Sequence, residues 1–107
     1  MMTRSSLAHP TTAIDPALPA ADVIQRGLAQ LAAGERTAES LLVQIGASRL
    51  HALGITISDH TPRIAEAPEM ALYELLARED PDTAHSRYNA LVRALVSFER
   101  AAESAAR

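Results

Sequence analysis

The sequence predicts an all-α fold: a small four-helix, bundle-like domain with a disordered N-terminal tail and a long C-terminal helix. Three observations predict it. Apolar residues recur at helical spacing over most of residues 19–107. Alanine, the best helix former, occurs twenty-two times. From Ala84 to Ala105 the larger or buried-type side chains follow an unbroken 4,3 repeat, the rule for helices packed side by side. At 107 residues and 48% apolar content, the chain has the length of one domain and the composition of a globular one.

Each element follows in order. Residues 1–18 carry Ser, Thr, His, Pro and Ala without a period and read as a flexible tail, leaving 19–107 as the folded domain. The first helix spans residues 19–33, with Ala20, Ile24, Leu28 and Leu31 on one stripe and Asp22, Arg26 and Gln30 opposite. Gly34 stops it. Gly27 inside it costs roughly 1 kcal/mol relative to alanine, so either a neighbouring backbone approaches there or the helix is marginal.

Thr37 offers an N-cap for a helix over 38–53, which Gly54 ends. That segment is apolar nearly all round, as a central buried helix is, or as two short helices bending at Gly46 are. Residues 54–67 lose the period: Ile55 and Ile57 alternate, and Pro62 forbids an uninterrupted helix. A connector this long is functional or loosely ordered. Pro68 opens a helix over 68–79, with Leu72, Tyr73, Leu75 and Leu76 on its apolar face and a Glu74–Arg78 pair opposite. Asp80 and Pro81 cap and open the last helix, 81–105, which spans roughly 37 Å and is longer than its neighbours.

Composition narrows the function. The ten basic residues are all arginine, which together with the alanine content suggests a bacterial, GC-rich genome. A formal net charge of −3 gives no global attraction to nucleic acid or anionic membrane. The absence of cysteine excludes disulfides and thiolate chemistry. The first twenty residues lack the apolar core of a signal peptide, and no segment is long enough to span a membrane, so a cytoplasmic protein is expected. One Phe, two Tyr and no Trp make a thin core, of the kind a second copy or a partner completes.

The strongest pattern is the edge of the last helix formed by Ala84, Tyr88, Leu91, Leu95, Phe98, Ala102 and Ala105. It is either the core of the bundle or a seam shared with another copy. The overhang past Phe98, with small Ala102 and Ala105, favours sharing, so Tyr88, Leu91, Leu95, Phe98, Ala102 and Ala105 are the candidate interface. Arg93, Arg100 and Arg107 lie opposite, too dilute and too poor in aromatics for a nucleic-acid rail; they read as a solvated face.

Residues 37–55 resemble a helix-turn-helix, with a turn at Gly46 and Ser48, Arg49 and His51 facing a major groove. The resemblance departs at Leu42, where that motif wants alanine, and at Ala52, where it wants a larger apolar residue. None of the four histidines stands in a metal spacing, although Asp59 and His60 could meet another ligand in space. His85, Asn89 and Arg93 form a polar ridge. No phosphate-binding loop, nucleophile elbow or paired carboxylates are present, so no catalytic, cofactor or metal site is expected and an enzyme is not. The leading expectation is a regulatory helical module binding a protein partner or itself, as a homodimer. The alternative is a DNA-binding regulator using Ser48, Arg49 and His51.

Overall fold

The computed structural model describes residues 14–55 and 64–106. Most of the expected tail and the centre of the connector, Asp59 and His60 included, lie outside the described residues. Among those described, five helices and no strand occur: α1 (Ala21–Ala32), α2 (Ala38–Ile45), α3 (Ala47–Ala52), α4 (Pro68–Glu79) and α5 (Ala84–Ala105). The regular structure of the described residues is all-helical.

α1 buries Ala21, Ile24, Gly27 and Leu31 on one stripe. It ends at Gly34, whose positive φ lets the Gly34 N–H reach the Leu31 carbonyl (3.0 Å) and the Glu35 N–H the Gln30 carbonyl (2.8 Å). That pair of bonds satisfies carbonyls the helix end leaves bare. Gly27 has the first of its two expected causes. A β-carbon built there would stand 2.5 Å from the Glu39 carbonyl oxygen and 2.6 Å from Val43 Cγ2, so α2 lies directly against the α1 backbone. The Arg26 guanidinium reaches Glu39 across the same crossing (3.3 Å).

α2 starts on a reciprocal cap. Thr37 Oγ1 accepts the Ser40 N–H (3.0 Å), and Ser40 Oγ accepts the Thr37 N–H (2.9 Å). Ser40 is fully buried because its hydroxyl also donates to the Glu35 carbonyl (2.7 Å). Leu41, Leu42 and Val43 are then buried on successive positions, which only a helix covered on several sides permits.

Where four helices were expected there are five, since segment 38–53 takes the second of its two expected forms, two short helices bending at Gly46. The bend lies against α5: a β-carbon at Gly46 would meet Leu95 Cδ1 at 2.9 Å, so the missing side chain is what lets the two approach. The last helix begins at Ala84 rather than Pro81. Asp80 Oδ1 accepts the Asp82 N–H (3.1 Å) and the Asp80 carbonyl accepts the Thr83 N–H (3.3 Å), so residues 80–83 form a turn. Packed chain also begins earlier than residue 19. Ile14 is buried in the core, Leu18 packs beside it, and Gln25 Nε2 donates to the Ile14 carbonyl (3.3 Å).

The core is one cluster running from Ile14 through α1, α2, α3 and α4 to Phe98. α2 packs against α1, α4 and α5, with Leu41, Leu42, Leu72, Leu76 and Phe98 fully buried. The connector returns to the body at residues 64–65, where Arg36 Nη1 donates to the Ile64 carbonyl (3.0 Å) and Gln44 Nε2 to that of Ala65. Glu74 and Arg78 form no ion pair. Across the α4–α5 turn, Arg87 instead meets Glu79 at 2.9 Å.

Candidate functional site

α5 presents its apolar edge to two different surroundings. Leu95 and Phe98 are 3% and 0% exposed, so the chain's own core takes them up. That removes both from any free interface. Tyr88, Leu91 and Ala102 are half-buried against the same core, and only Ala105 is exposed.

The overhang past Phe98 is also partly covered. Ile14, Leu18, Leu53 and Ile55 line an open cavity of about 240 Å³ together with Phe98, Ala102, Ala105 and Ala106. The sequence reading left this end of α5 bare because the covering residues come from the stretch read as tail, from the last residue of the helix expected over 38–53 and from the start of the connector.

α3 places Ser48, Arg49 and His51 on an exposed face. Two features distance them from a DNA-reading helix. α3 is six residues long, under two turns. The Arg49 guanidinium is held at 2.9 Å by Glu103 on α5, among carboxylates rather than free for phosphate. Glu99, four residues before Glu103, has a carboxylate oxygen 3.1 Å from where a Gly46 β-carbon would stand. Burial there pushes the Glu99 carboxyl up from its ordinary value, and the positive charge of Arg49 only partly offsets this.

A second apolar edge emerges from the structure. Met70, Tyr73 and Ala77 share one side of α4 at i, i+3 and i+7, and Tyr88, Val92 and Val96 share one side of α5 at four-residue steps. The Tyr73 and Tyr88 rings, 5.8 Å apart between centroids and tilted by 58°, join the two sides into one ridge. Met70 is 64%, Tyr73 39% and Val96 36% exposed, the only large apolar side chains so exposed among the described residues. The spacing was present in the sequence, but Tyr73 was absorbed there into the buried face of α4 and Val92 and Val96 were overshadowed by the heptad edge.

Beside this ridge, His85 Nε2 and Asn89 Nδ2 lie 3.2 Å apart, while Arg93 and Arg100 are exposed and in no ion pair with a described residue. Among the described residues no group of three His, Asp or Glu side chains is arranged to hold a metal. No described helix is long and apolar enough to cross a membrane. No protein-family model, no curated protein and no solved structure matches the chain.

Proposed function

We propose that this protein is a small helical interaction module of regulatory role, which works by helix-on-helix contact with a protein partner or a second copy of itself rather than by catalysis. The observation that carries the reading is the ridge of Met70, Tyr73 and Val96, exposed while the other large apolar side chains among the described residues are buried or half-buried. Apolar surface left in water is unfavourable by about 25 cal/mol per Å², and covering it is what drives association. The lysine-free, alanine-rich composition and the absence of cysteine support a bacterial, cytoplasmic setting.

DNA reading through Ser48, Arg49 and His51 is the weaker proposal, since Arg49 is bound to Glu103 and the net charge is −3. One experiment separates the two. Tagged full-length chain is drawn from a native lysate, and bound protein and nucleic acid are both identified. Protein held in near-equal amount and lost in Met70→Glu is the expected result. Nucleic acid whose recovery depends on Arg49 overturns the proposal.

A further inference from the structure

Among the described residues that line the open cavity at the end of α5, Asp15 is the one ionisable group, and the others are apolar. Asp15 is exposed, accepts the Ala17 N–H on one carboxylate oxygen (2.9 Å), and is in no ion pair with a described residue. α5 ends at the same place. Ala105 and Ala106 line the cavity, and a helix leaves its final carbonyls without internal partners and carries a partial negative charge at that end.

Donors, by contrast, are already engaged. The N–H groups of Leu18, Leu53, Ile55 and Ala106 donate to the carbonyls of Asp15, Arg49, Leu50 and Ala102. Those of Phe98 and Ala105 lie within α5 and bond to their own helix. An anion would therefore meet a carboxylate and a negative helix end, with no free N–H from these residues to hold it. A cation meets two counter-charges beside an apolar wall.

We propose that this cavity is a binding site for a small amphipathic cation, an aliphatic ammonium compound. Its hydrocarbon chain lies against Phe98 and Ala102, and its charged head stands at Asp15 and the C-terminal end of α5. The head remains in contact with water because the cavity is open and Asp15 exposed, so it is not stripped of its hydration. Size sets the length of the chain. A cavity of roughly 150 Å³ takes a benzene ring and drug-sized ligands need roughly 300–1,000 Å³. The 240 Å³ here lies between them, which suits a chain of about eight carbons. A second copy cannot supply an alkylammonium group from its side chains, because the sequence contains no lysine. The site shares no residue with the α4–α5 ridge and does not depend on the interaction-module reading.

Calorimetric titration of the full chain with n-octylammonium, n-octanol and n-octanoate, followed in parallel by amide NMR spectra, tests this. Octylammonium is expected to bind with a Kd below about 1 mM. It should bind about three- to fivefold more tightly than octanol, with octanoate weakest. The amides of Leu18, Leu53 and Ala102 should shift, and those of Met70, Tyr73 and Val96 should not. Asp15→Asn keeps an oxygen for the Ala17 N–H and should bring octylammonium down to the affinity of octanol while leaving octanol unchanged. Ala105→Leu, at an exposed helical position, should fill the cavity and weaken binding about tenfold with unchanged circular dichroism.

Four results overturn the inference: no binding of octylammonium at about 1 mM, octanoate bound as tightly as octylammonium, an Asp15→Asn variant that binds octylammonium as the natural chain does, or shifts centred on the α4–α5 ridge. None of them bears on the interaction-module reading, which is tested separately by Met70→Glu.

Discussion

Gly27→Ala sets two known effects against each other, and the structure decides the sign. Alanine inside a helix is favoured over glycine by about 1 kcal/mol, so a freely exposed site would gain stability. At position 27 the new β-carbon would stand 2.5 Å from the Glu39 carbonyl oxygen and 2.9 Å from its carbon. Ordinary contact begins at about 3.4 Å, so α1 and α2 would have to part by roughly 0.9 Å. The obstructing atoms are backbone and cannot rotate away as the tip of a side chain does.

Overpacking of this kind costs about 1–3 kcal/mol even where side chains adjust, so here the upper part of that range applies. Parting the crossing would also loosen Ile24, Leu41 and Val43, all fully buried. The net loss is about 1–2 kcal/mol, or a fall in Tm of roughly 5–15 °C for a domain of this size. Thermal melting followed by circular dichroism at 222 nm measures it. A Tm equal to or above that of the natural chain would mean that α1 does not bear on the α2 backbone, and the packing argument would fall.

Other expected outcomes are as direct. Thr37→Ala removes the acceptor for the Ser40 N–H and should lower stability by about 1 kcal/mol in urea unfolding. Phe98→Ala, at the fully buried centre of α5, should cost about 3–5 kcal/mol and leave little folded protein at 37 °C. The raised Glu99 carboxyl means the folded state binds that proton more tightly than the unfolded state does. Its charged form therefore detracts from stability at neutral pH, and the penalty is relieved as pH falls through the raised value. Glu99→Gln should accordingly raise Tm at pH 7, with the gain over the natural chain shrinking as the carboxylate range is entered; a gain independent of pH would contradict this.

Local chemistry was legible in the sequence and long-range partnership was not. The cap at Thr37, the stop at Gly34 and the opening of α4 at Pro68 depend on a few neighbouring residues and stand where those residues placed them. Gly27 pointed either to a close backbone approach or to a marginal helix, and the contact with Glu39 decides for the first. The run Asp80-Pro81-Asp82-Thr83 suits both a helix start and a turn, and the Asp80 carboxylate decided for the turn by accepting a backbone N–H.

The 4,3 repeat of α5 marked an edge as buried but carried no information on what buries it. Leu95 is covered by the bend at Gly46, and Phe98 by core that reaches back to Ile14. Ile14 itself gave no periodic signal, because Pro16 and Pro19 interrupt any helical spacing between it and α1. The ion pairs Arg26–Glu39 and Arg49–Glu103 join residues far apart in sequence, whereas the legible i,i+4 pair Glu74–Arg78 does not form.

The meeting of Ile14 and Leu18 with the last turns of α5 closes a loop that takes in almost the whole described chain. α1 with α2, and α4 with α5, are joined by short turns and lose little chain entropy on pairing. Closing the long loop costs roughly 2–3 kcal/mol more than closing the turn between α1 and α2, because the cost grows with the logarithm of length. That contact therefore forms last in folding and opens first in unfolding. It acts as a latch on the two ends: α2 already joins the helical pairs through α4 and α5, and a force on the ends of the domain meets the latch before it meets that packing.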